Sequence, residues 1–136
     1  MAMTGKCLCG AVHYVAEGAA VFAGNCHCRD CQRVTGSGYM PVIAFARDTV
    51  SISGEIKYYK RKGDSGQDSY EGFCPECGAR LLAYADAIPG LLMIQAGSLD
   101  DPSQYKPQMD IYTKSAQPWD HMDPALPKFA GMPPTG

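Results

Sequence analysis

The chain has 136 residues, 46% of them apolar, which is enough for one domain with a buried core and too few for two. Its 12 basic and 14 acidic residues leave a net charge of −2, which argues against the basic face of a nucleic-acid binder. No apolar run approaches the ~18 residues of a membrane helix and Met1–Lys6 lacks a signal-peptide core, so a soluble, cytoplasmic protein without membrane or nucleic-acid partners is expected.

Taken in order, the chain first shows a Cys-x-Cys pair in Gly5-Lys6-Cys7-Leu8-Cys9-Gly10. Ala11–Ala16 alternates as a strand does, and Glu17-Gly18 reads as a turn. His13 is expected on that strand as a surface or core residue rather than a ligand. Ala20–Asn25 leads into Cys26-His27-Cys28-Arg29-Asp30-Cys31, three cysteines in six positions. The polar segment Cys28–Val34 predicts a short helix stopped by Thr35-Gly36-Ser37-Gly38, with Cys28 and Cys31 on one face. His27 is expected not to be a ligand, because adjacent residues rarely point at one metal. Arg29, Gln32 and Arg33 either neutralise a thiolate-rich site or solvate the helix surface.

Strand signals recur at Tyr39–Phe45, Val50–Ser53, Ile56–Lys60, Ser69–Phe73, Arg80–Tyr84 and Leu91–Ala96, with a turn at Ser53-Gly54-Glu55. They predict a mainly β fold of antiparallel sheets with little helix. The basic run Lys57–Lys62, ahead of Gly63-Asp64-Ser65-Gly66, reads as a solvated hairpin end rather than an anion-binding patch. Leu99–Tyr105 predicts one turn and Met109–Thr113 a last strand. The Pro-rich stretch Gln117–Phe129 is expected to pack down through Trp119 and Phe129, leaving residues 130–136 as a flexible tail of a single domain, 1–136. No repeat, linker or low-complexity block interrupts it.

The seven cysteines divide as four plus three. Cys7 and Cys9, with Cys74 and Cys77 of Phe73-Cys74-Pro75-Glu76-Cys77-Gly78, make a complete set of four soft ligands, as a closed structural zinc site requires. The 64 residues between Cys9 and Cys74 mean that such a site clips distant parts of the chain together and couples metal binding to folding. Cys26, Cys28 and Cys31 supply three ligands, which keeps one coordination position for water or substrate. Disulfides are not expected, since seven is odd and an intracellular chain keeps its thiols reduced.

The motifs Gly-x-Cys-x-Cys-Gly at Gly5, Cys-x-Cys-x-x-Cys-Gln-Arg at Cys26, Cys-x-x-Cys-Gly at Cys74 and the late Pro118-Trp119 form a pattern that spans about Gly5 to Phe129. It resembles the glutathione-dependent formaldehyde-activating enzyme and centromere protein V domain family. The resemblance implies an Mss4-like fold of antiparallel sheets around a zinc clip. It implies a structural zinc on Cys7, Cys9, Cys74 and Cys77 and a catalytic zinc on Cys26, Cys28 and Cys31. It further implies a carbon–sulfur lyase that adds glutathione to formaldehyde, with Arg29, Arg33 and Trp119 as candidate substrate contacts. Two other classes fit the same residues: a non-catalytic zinc-stabilised binding module with His27 or His121 as fourth ligand, and a thiol redox sensor.

Overall fold

In a computed structural model, which describes residues 2–134, the chain folds into two sheets and one helix. Strands β1 (Met3–Lys6), β2 (His13–Ala16) and β5 (Val50–Ser53) make a three-stranded sheet in the order β1-β2-β5. The second sheet holds β3 (Phe22–Cys26), β4 (Met40–Ala46), β6 (Lys57–Lys62), β7 (Asp68–Phe73), β8 (Arg80–Ala85), β9 (Leu91–Gln95) and β10 (Asp110–Ile111). Its order is β10-β3-β4-β9-β8-β7-β6. The mainly β reading therefore holds, with one departure from an all-antiparallel arrangement. β10 runs parallel to β3, because the chain returns to it through a long crossover rather than a hairpin.

Two strands carried no clear signal. β1 is short and lies beside a polar turn, and β3 contains Gly24 and Asn25, which are poor strand formers held in place by β4 on one side and β10 on the other.

β4 sits centrally and is buried on both faces, so the period of two along it divides the interior. Ile43 and Phe45 face the main core with Val12, Tyr14, Leu82, Leu92 and Ile94. Met40 and Val42 face a second cluster that contains Cys26, Cys31 and Ile111. Each fully buried Ile, Leu or Phe stabilises the fold by about 1.5–3 kcal/mol, so the main core carries most of the stability that packing alone provides. The second cluster is smaller and bears the chemistry.

Gly5 is where β1 is crowded by its neighbour β2 and by the turn Ala96–Ser98. A methyl there would collide with the Tyr14 ring and lie 2.5 Å from the Ser98 carbonyl oxygen, while the Tyr14 hydroxyl is held by Ser98 Oγ at 2.6 Å. Gly5→Ala is therefore expected to destabilise the chain by about 1–3 kcal/mol through overpacking. The measurement is a denaturant midpoint; an unchanged midpoint would mean that Tyr14 yields freely.

Phe129 packs on the second cluster, but Trp119 does not pack down as its sequence context predicts: it is 62% exposed, with its ring edge against Gly38. The neighbouring Asp120 anchors the tail instead, through the buried His27. Of the segment 130–136, the Gly131 carbonyl accepts from the Tyr112 amide at 3.1 Å and Met132 lines a cavity, whereas Thr135 and Gly136 lie outside the described residues. Among the described residues no helix is long and apolar enough to cross a membrane.

Candidate active site

Helix α1 (Arg29–Thr35) begins shortly after the last strand residue of β3, Cys26, and this junction builds the three-cysteine cluster. Cys28 caps the helix: its extended backbone (φ −67°, ψ 157°) turns its sulfur to accept the Cys31 amide at 3.3 Å. Cys31 follows in the first turn. The three sulfur atoms all lie within 4.8 Å of one another, and among the described residues no fourth His, Cys, Asp or Glu joins them. Cys26 and Cys31 are buried while Cys28 is partly exposed. The thiols share protons unequally. Hydrogen bonds from Cys26 and then Cys31, helped by the Arg61 charge, hold the Cys28 thiol down to about 2. The same interaction with Cys28 pushes Cys26 up to about 12, and Cys31 is raised by both neighbours. A divalent soft cation would take the place of those shared protons, and this donor set suits one.

The four-cysteine cluster forms at the other end of the clip. Cys7 and Cys74 are buried, Cys77 is partly so and Cys9 is exposed. Cys7 and Cys9 sulfurs are 3.7 Å apart and Cys9 and Cys74 sulfurs 3.8 Å apart. Those spacings match the edge of a tetrahedron with metal–sulfur bonds of about 2.3 Å, which is about 3.8 Å. The Val12 amide donates to Cys7 Sγ at 3.3 Å, and the Gly78 amide to the Cys74 carbonyl at 2.8 Å. Gly78 closes the second turn at φ +75°, a conformation that favours glycine. Cys77 is drawn down to about 6, chiefly by the Ala79 amide and then the Cys9 amide, as a thiolate ligand requires. Both clusters can hold a metal ion.

His27 is not available as a ligand. Its ring is almost wholly buried, with Nδ1 at 2.5 Å from Asp120 Oδ2 and Nε2 at 2.9 Å from Asp110 Oδ1. Asp110 also accepts from Lys128 Nζ at 2.9 Å and Asn25 Nδ2 at 3.2 Å. This network ties β10 and the tail to the residue between Cys26 and Cys28. His121 and His13 are exposed and join neither cluster.

A cleft of about 680 Å³ opens over the three cysteines, and Arg29, Asp30, Arg61, Lys62 and Lys114 surround it. Beneath it an apolar slot of about 290 Å³ reaches between Cys26, Cys31, Met40, Met93 and Ile111. Arg61 lines both. Its guanidinium joins helix to sheet, at 3.2 Å from Asp30 Oδ2 and at 2.9 Å from Glu71 Oε1. Tyr112 also lines both, and among the described residues it is the one non-glycine with positive φ (56°), a strained backbone of the kind that collects at functional sites.

The residues singled out from the sequence fall unevenly around this site. Arg29 lines the cleft, with Nη1 donating to Gln32 Oε1. Arg33 is exposed, and neither it nor Trp119 lines the cleft or the slot. Gln32 does not solvate the helix surface: it is buried, and its Nε2 donates to the His27 and Ser115 carbonyls at 2.8 and 3.0 Å. The basic run splits, with Lys57 and Lys60 in solvent and Arg61 and Lys62 turned to the cleft. Glu71, Asp110, Asp120 and Tyr112 carry no local signal. An acidic residue on a strand or in a tail ordinarily faces water, and only pairing across the fold shows otherwise.

Fold and site together define a small β protein with one four-cysteine cluster and one three-cysteine cluster facing a cleft. The chain belongs to the glutathione-dependent formaldehyde-activating enzyme family, whose profile matches residues 2–115. No functionally curated protein matches it significantly. A crystal structure of a Rhodobacter sphaeroides protein, a structural-genomics target, is similar in fold at a TM-score of 0.58 and 16% identity, over 93% of this chain and 99% of that one.

Proposed function

We propose that the chain is a zinc-dependent carbon–sulfur lyase that adds the thiol of glutathione to formaldehyde, giving S-(hydroxymethyl)glutathione. What most supports this reading is the three-sulfur cluster, open to a cleft and without a fourth protein ligand among the described residues, in a chain of this family. Cys7, Cys9, Cys74 and Cys77 would hold a structural zinc, and Cys26, Cys28 and Cys31 a catalytic one. When bound there, zinc supplies an open coordination position and Lewis acidity.

The chain's own residues supply the rest. Three thiolates on a divalent ion leave a formal charge of −1, which repels an anionic thiol. Arg61 faces the cluster but is already paired with Asp30 and Glu71, so offsetting that charge falls to the cations at the cleft mouth. Arg29 and Lys114 at the mouth offer cations to the carboxylates of glutathione, while Lys62 beside them is paired with Asp68 at 3.0 Å. The reaction is an addition: the thiol sulfur bonds the carbonyl carbon, the C=O π bond opens, and the thiol proton ends on the new hydroxyl. No electron acceptor is needed.

The test is exchange NMR on an equilibrated mixture of formaldehyde and glutathione with the zinc-loaded chain. Acceleration that Cys28→Ala abolishes supports the reading; background exchange in both samples removes it. The cleft geometry also favours substrate contacts on Arg29 over Arg33. Arg29→Ala is expected to weaken glutathione binding about tenfold, in line with a lost charge-assisted bond, while Arg33→Ala leaves the calorimetric Kd unchanged. Equal losses would return Arg33 to the site.

A further inference from the structure

Glu71 is a charged residue in an apolar place. It is 3% exposed, and it lines the slot among Met40, Val42, Met93 and Ile111. Its Oε1 takes two of the Arg61 donors, Nε at 3.2 Å and Nη2 at 2.9 Å. Its Oε2 is buried and has no hydrogen-bond partner among the described residues. A buried carboxylate oxygen left unpaired costs free energy, and burial in the wall of a cavity gives it a use only when something in that cavity donates to it. The slot has room for such a guest. At about 290 Å³ it exceeds the ~150 Å³ of an apolar cavity known to take benzene. Formaldehyde, which carries no substituent, leaves it unfilled.

We infer that the slot seats an apolar substituent, alkyl or phenyl, on the aldehyde carbon, and that Glu71 Oε2 accepts a hydrogen bond from the hydroxyl formed on addition. The inference rests on the lyase reading and names its substrate class: aldehydes larger than formaldehyde. The step balances as before. The carbon–sulfur bond forms, the C=O π bond opens, and the thiol proton moves to the hydroxyl that faces Glu71. A slot that is almost wholly apolar with one placed acceptor is the usual design of a small-molecule site.

Two stable probes separate the slot from the reaction. Benzyl alcohol carries a ring and a hydroxyl, and toluene carries the ring alone. With the zinc-loaded full chain, benzyl alcohol is expected to shift the Met40 and Met93 methyl resonances at lower concentration than toluene. Glu71→Gln keeps an oxygen for Arg61 and is expected to weaken benzyl alcohol about tenfold while leaving toluene unchanged. Met93→Trp, which fills the slot, is expected to exclude both, and it decides the matter if Glu71→Gln does not fold. Failure of both probes to shift those methyls overturns the proposal, as does an equal effect of Glu71→Gln on the two. A companion exchange assay compares butanal with formaldehyde as partners of glutathione. Acceleration of both supports the proposal; acceleration of formaldehyde alone overturns it and leaves the lyase reading standing. Background exchange for both removes the lyase reading, and the substrate assignment made here with it, even where benzyl alcohol binds.

Discussion

Stepwise chelation of the zinc-loaded chain is expected to release one metal with no loss of structure, and to unfold the chain when the second leaves. The three-thiolate site has fewer ligands and opens onto a cleft, so a chelator reaches it first. The four-thiolate site joins Cys9 to Cys74, 65 positions apart, next to the main core through the buried Cys7 and Cys74. Structural zinc contributes about 10–16 kcal/mol to folding in small domains, which is as large as the ~5–15 kcal/mol net stability of a whole domain. Cys74→Ala should therefore leave the chain unfolded at ordinary temperature, whereas Cys28→Ala should leave it folded. Circular dichroism with parallel zinc counts reads both. Simultaneous loss of both metals and of the fold would contradict the division into a structural and an open site.

The second large effect lies at His27. His27→Ala leaves Asp110 and Asp120 buried without the ring that separates and pairs them, and a buried acceptor that loses its hydrogen-bond partner costs about 1–3 kcal/mol, more for a charged group. Replacing Asp120 by Asn in the same chain removes one of the stranded charges, so the double variant should be more stable than the two separate losses added together. Additive losses would show that the ring is held by packing alone. The network also predicts acid sensitivity. Burial works to raise the Asp110 carboxyl, but hydrogen bonds from His27, Lys128 and Asn25 outweigh it and hold the group below the ordinary range. A carboxyl lowered in the folded state contributes stability above its unfolded value of about 3.9, and that contribution is lost as pH falls through the folded value. Asp110→Asn should accordingly flatten the acid limb of the stability curve. An unchanged limb would place the acid sensitivity on other groups.

Much of this architecture is legible along the chain. The strands β4 to β9 fall within a residue or two of their alternating segments, and the helix between Cys28 and Gly36 follows from its polar composition and its stop. The division of the cysteines into four and three is legible as well, because ligand softness and ligand number are properties of the residues themselves. The weak points are segments whose conformation comes from their neighbours. β3, with Gly24 and Asn25, becomes a strand because β4 and β10 flank it. Trp119 looks like an anchor by its chemistry and is not one, since the adjacent Asp120 found a buried partner.

By itself, then, the sequence determined a mainly β chain whose distant parts can be clipped by four cysteines, with a second cluster one ligand short of closure. Those are consequences of local period, residue type and spacing. Only the tertiary structure decided which cation faces the open cluster, that His27 is locked between two carboxylates, and that Glu71 stands with one oxygen unpaired in an apolar slot. Each of these depends on groups far apart in the chain, such as His27 and Asp110 at 83 positions, and the free energy of such a pairing exists only once the intervening segments have folded back to bring it about.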